Sequence, residues 1–184
     1  MKKISIFLCL VFCLISFSSC SKTDNTEYFT SQLQSCPEEL RYIPEILSDY
    51  EDSEEIKISV LADNTVTYSL KNKVTAKSRK EYQNINLHIR KHTSSINASI
   101  DAMVDSYTAE KDSAVKAVKH EINGRKYAVT YEIRPDLEYT VLNVIYAASE
   151  NVSAYFTLQL AETPDEINSK ILDEICNDLA VTKI

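Results

Sequence analysis

Apolar and polar positions alternate most clearly in the last third of the chain. Tyr127, Val129, Tyr131 and Ile133 fall at every second position, the period of a strand with one buried face. Val115–Ile122 precedes that segment, and Asn123-Gly124 lies between the two. Asn-Gly suits a two-residue hairpin turn because both central positions need positive φ. Beyond Pro135-Asp136, the run Tyr139 to Ala148 is apolar on both faces, with Val141, Ile145 and Ala147 on one and Leu142, Val144 and Tyr146 on the other. Such a strand is expected to be covered on both sides. After Glu150-Asn151 the next segment puts Val152, Ala154, Phe156, Leu158 and Leu160 on one face and Ser153, Tyr155, Thr157 and Gln159 on the other. These four segments predict an antiparallel meander.

The earlier chain carries weaker signals of both periods. Ile56, Ile58 and Val60, then Val66, Tyr68 and Leu70, flank Ala62-Asp63-Asn64 and predict a hairpin. Lys71 to Tyr82 is polar and basic and reads as a loop. Asn84–Arg90 alternates strictly and carries the β-branched Ile85 and Ile89, which favours a strand over the helix that would align Tyr82, Ile85 and Ile89. Ile96, Ile100, Met103, Val104 and Tyr107 recur at helical spacing behind a Thr93 or Ser94 cap, with an end near Glu110–Asp112. Thr163-Pro164-Asp165-Glu166 combines a cap, a first-turn proline and a capping-box glutamate. Ile167, Ile171, Leu172, Ile175 and Leu179 would form the buried stripe of that helix. Pro37-Glu38-Glu39-Leu40 opens another, in which Leu40, Ile43, Ile46 and Leu47 share a face. Pro44 should kink or split it, leaving one short irregular helix that ends near Tyr50. Ala180 to Ile184 is expected to finish as a short edge strand.

Together these elements give an α+β fold, an antiparallel sheet of six or seven strands with helices packed against it. Their order over residues 56–184 resembles the PsbP-like fold. That fold is the α/β/α sandwich of the photosystem extrinsic subunit and of many small bacterial lipoproteins. The resemblance rests on the strand NINLHIRK, the helix SSINASIDAMVDSY, the hairpin HEINGRKYAVTYEI and the final helix TPDEINSKILDEICNDL. It implies binding or assembly with partners more than catalysis, and it carries over no functional residue. The helix around Pro44 is an addition to that pattern.

The N-terminus has a different character. Met1-Lys2-Lys3 is followed by an apolar run from Ile4 to Phe17 and by Ser18-Ser19-Cys20, the layout of a secretory signal. The run falls short of the roughly 20 residues of a membrane-spanning helix. Phe17-Ser18-Ser19-Cys20 resembles the bacterial lipobox, with Phe where Leu is usual. The resemblance implies cleavage after residue 19 and a diacylglycerol thioether on Cys20. The chain thus divides into a signal peptide over 1–19, a lipid-bearing Cys20 with a flexible tether to residue 36, and a single globular α+β domain over 37–184. The expected address is the bacterial cell envelope, on the extracytoplasmic face of the cytoplasmic membrane or on the outer membrane. Ser21 rather than Asp after the cysteine favours the outer membrane.

Composition narrows the chemistry. The formal charge of −7 becomes −9 once Lys2 and Lys3 leave with the signal, which opposes nucleic-acid binding and a polybasic grip on lipid. A single Gly excludes glycine-rich phosphate loops, and no cofactor is expected. Cys36 and Cys176 remain as thiols after Cys9 and Cys13 leave with the signal. One disulfide between them or two buried small hydrophobes are the alternatives. His88 and His92, four apart, are the candidate metal ligands; they lack the adjacent Glu and a third ligand. His120 reads as exposed on its hairpin. Ser113-Ala114-Val115-Lys116 matches an S-x-x-K spacing without the partner motifs. Eleven tyrosines are the unusual abundance. If the Tyr155, Thr157 and Gln159 face is exposed, it is a candidate binding surface. Three roles follow: a non-enzymatic module binding an envelope protein or small ligand, an accessory subunit of a transporter or secretion machine, and a metal-dependent surface enzyme.

Overall fold

The computed structural model describes residues 25–108 and 114–184. The expected export signal, Cys20, Ser113 and the expected helix end at Glu110–Asp112 lie outside the described residues.

The main sheet is antiparallel throughout and has the strand order β2-β3-β5-β9-β8-β7-β6. Its strands are β2 (Lys57–Val60), β3 (Val66–Leu70), β5 (Glu81–Lys91), β6 (Lys116–Ile122), β7 (Arg125–Arg134), β8 (Tyr139–Ser149) and β9 (Val152–Leu160). A two-residue strand, β4 (Val74–Thr75), pairs with the start of β5 inside the segment expected to be a loop. The meander from β6 to β9 is thus present, and its turn places Asn123 and Gly124 at φ 52° and 75°. Both conformations suit a two-residue hairpin.

Register explains the layering. Val129, Val144, Phe156, Leu87 and Tyr68 are successive cross-strand partners from β7 to β3, and all are buried. This row faces a layer made of α1 (Thr26–Gln32), α4 (Ser169–Asp178) and a small second sheet of β1 (Tyr42–Pro44) with β10 (Val181–Lys183). A four-residue helix, α2 (Glu45–Ser48), follows β1. Phe29, Leu33, Leu47, Ile175 and Leu179 join Tyr68, Tyr146 and Phe156 in one core. Each such side chain contributes roughly 1.5–3 kcal/mol on leaving water. Their hydroxyls are accommodated too: Tyr146 donates to the Leu179 carbonyl at 2.8 Å, and Tyr68 donates to the Tyr42 carbonyl. On the opposite face lies α3 (Asn97–Thr108). Its Ile96 and Ile100 end packs on Ala128, Ile145 and Ala147. Helices therefore sit on both faces of the sheet.

Several expectations are corrected. The tether does not run to residue 36. From Asn25 the chain is packed, because Phe29 and Leu33, one helical turn apart, are both fully buried and Asn25 bonds the carbonyls of Leu47 and Tyr50 at 3.2 and 2.6 Å. The segment from Pro37 is not one irregular helix. A 3-10 turn at Glu38–Leu40 precedes β1, whose residues Tyr42 to Pro44 pair with Lys183 to Val181. Pro44 ends that strand and α2 begins behind it, so the proline splits the segment. The last helix starts at Ser169 rather than after Thr163, since the Asn168 side chain accepts the Ile171 amide at 3.1 Å. α3 likewise starts at Asn97, later than a Thr93 or Ser94 cap would place it.

Candidate binding site

A second row of partners crosses the sheet on the α3 side: Ala128, Ile145, Tyr155, His88 and Thr67. α3 packs against β6, β7 and β8, so the face continues past its edge over β9, β5 and β3. At that edge stands Tyr155, 37% exposed, on a strand whose other face is wholly buried. The meander's alternation forces this: Ala154 and Phe156 point into the core, so Tyr155 points out.

Two clefts meet at Tyr155 and Ile145. One, of about 360 Å³, runs under the second half of α3 and is bounded by Met103, Val104, Ala128 and Thr130. The other, of about 300 Å³, is bounded by Asp63, His88, Arg90, His92 and Ser153. Volumes of roughly 300–1,000 Å³ are those of small-molecule sites. Tyr155 is held by a relay: its hydroxyl donates to Asn143 Oδ1 at 3.2 Å, and Asn143 Nδ2 donates to Thr130 Oγ1 at 3.1 Å. The His88 ring lies 6.2 Å from the Tyr155 ring.

The second cleft is the polar one. His92 Nε2 meets Ser153 Oγ at 2.8 Å. Burial, helped by the Arg90 charge, pushes the His92 pKa down from the usual value, so a neutral imidazole is favoured there. Arg90 Nη2 is 3.8 Å from Asp63 Oδ2, with both side chains more than half exposed. The Thr65 amide donates to Asp63 at 3.1 Å and holds its carboxyl below the usual range.

The residues singled out in the sequence are only partly brought together. His88 and His92 both line the polar cleft, but from a strand and the turn behind it, and no group of three potential ligands forms among the described residues. Thr157 shares the Tyr155 face, in register with Asn143 and Asn86. Gln159 is committed elsewhere: its Oε1 accepts from Asn84 and Gln83 of the next strand at 2.7 and 3.2 Å. Cys36 and Cys176 are free buried thiols rather than a disulfide, and burial pushes Cys176 up to about 12. His120 is not an exposed edge residue. Its side chain is 12% exposed and meets Asp173 of α4 at 2.7 Å. Of the meander tyrosines, Tyr127 and Tyr146 are core. Met103, Val104 and Arg90 had no place in the sequence reading of the site. The helical stripe contained the first two, yet spacing does not reveal that they overhang the sheet beyond Ile100.

A separate polar cluster lies on the other face. Asp178, 6% exposed, accepts from the Tyr82 hydroxyl at 3.0 Å, the Ser78 amide at 3.2 Å and the Ser78 hydroxyl. Lys80 beside it pairs with Glu162 and Glu174 at 3.0 and 3.4 Å. These bonds pin the β4–β5 turn to α4 and leave no comparable opening.

No family model matches the chain, and no curated protein matches it.

Proposed function

We propose that this protein is a lipid-anchored module of the bacterial envelope that binds a partner protein or small ligand across the half-covered face of its sheet. The observation that carries the reading is Tyr155, an oriented aromatic standing between a mainly apolar cleft and a polar one. Tyrosine supplies contact area at little entropic cost and is enriched where proteins bind. The lipobox-like run before Cys20 supplies the envelope address, and the acidic charge directs the module away from nucleic acid. An α/β/α layering of PsbP-like order is part of the same reading.

A photo-crosslinking amino acid tests it. With p-benzoyl-phenylalanine in place of Tyr155 in the full chain, irradiation of intact cells should yield a discrete adduct. The same group in place of Lys57, on the exposed edge strand β2, should not give that adduct. Equal and diffuse labelling from both positions overturns the proposal.

A further inference from the structure

We infer that the Tyr155 face takes a single-chain amphiphile with an acidic head. This rests on the binding reading above and names the ligand class. The two clefts differ in the way such a molecule needs. Beneath α3 the walls are Met103, Val104, Ala128 and Ile145, with Thr130 and Asn143 satisfied by each other and by Tyr155. That cavity suits an alkyl chain, since its polar groups do not require water or a ligand atom. Across Tyr155 the walls are polar: the Arg90 guanidinium, the rings of His88 and His92 and the Asp63 carboxylate.

Arg90 is the group that selects the head. The only ion pair it makes among the described residues is the 3.8 Å contact with Asp63, beyond hydrogen-bond distance. Asp63 has its own partner in the Thr65 amide, so it keeps a hydrogen bond when Arg90 turns away. A carboxylate or phosphate entering the cleft offers Arg90 the shorter, bidentate pairing that guanidinium prefers. The phenol of Tyr155 marks the junction, its ring against the chain and its hydroxyl tied to Asn143.

The test uses the full, lipidated chain in nanodiscs of phosphatidylcholine. Palmitate carrying a mid-chain diazirine is added and irradiated, beside its methyl ester and a lysophosphatidic acid bearing the same chain. Both acids should label peptides containing Met103–Val104 or Ile145, and the ester should label them about ten-fold less, the loss expected of one charge-assisted hydrogen bond. Arg90→Gln, at an exposed position, should lower acid labelling by a similar factor. Met103→Glu should lower it for both acids by filling the apolar cleft with charge. Labelling by one acid alone assigns the head as carboxylate or phosphate within the proposal. Equal labelling by acid and ester, or labelling unchanged in Arg90→Gln, overturns it. If neither acid labels the protein while the crosslinker at position 155 still captures a discrete protein, the amphiphile is rejected and the binding face stands.

Discussion

His92 shows how one side chain couples the site to stability. Its imidazole is partly buried against Ser153, and burial with the Arg90 charge depresses its pKa below the ordinary 6.5. The unfolded chain therefore takes up a proton just under pH 6.5 while the folded chain does not. The stability this neutral ring contributes is present above that pH and falls as the solution is acidified through the window. The urea midpoint should drop between pH 7 and pH 5, and drop less in His92→Gln; an identical fall in both removes His92 as the cause. Asp178 makes a different demand. Its removal orphans the Tyr82 hydroxyl and the Ser78 amide in a buried setting. Asp178→Ala should cost about 2–3 kcal/mol by chemical denaturation, and Asp178→Asn should recover part of it. Tyr155 was legible in the sequence because strand alternation is local. Arg90 as a ligand group was not, because its meaning depends on Asp63, brought beside it by a hairpin tip.

Elements were legible where the deciding forces sit within a few residues. Asn123-Gly124 is the clearest: both residues occupy positive φ, and a Cβ on Gly124 would meet nothing within 4 Å. Gly124→Ala should therefore cost only the backbone term, about 1 kcal/mol in thermal or chemical unfolding. The start of α4 was misplaced because two capping signals compete there. Thr163-Pro164 is the better local motif, yet Ile167 is buried in the core just before Asn168. Packing fixes the chain there, and the helix begins one residue later. Asn168→Ala should destabilise by about 1 kcal/mol, whereas Thr163→Ala should stay within about 0.5 kcal/mol. β1 was illegible for a further reason. Its partner β10 lies at the far end of the chain, and no local period reports a pairing so remote. α1 was hidden by a boundary: reading the chain as tether to residue 36 took in both Phe29 and Leu33, the pair that drives the helix into the core.

The whole molecule was read correctly as an α+β body with an antiparallel sheet, because the meander and its turn dominate the pattern. The membrane address is tested at this scale. Labelled palmitate should enter the wild-type protein, and Cys20→Ala should abolish that labelling and move the protein from the membrane fraction to the soluble one. Label retained in Cys20→Ala ends the anchoring proposal.

Asn25 is already locked to Leu47 and Tyr50, which leaves only residues 21–24 between Cys20 and the folded body. Fully stretched, that leash spans at most about 18 Å. An acylated Cys20 would moor the body closely, by the α1 layer, beneath the sheet. Tyr155 lies on the reverse side of that sheet, looking away from the mooring. Cargo for its groove would then board from the aqueous space rather than climb out of the leaflet underfoot.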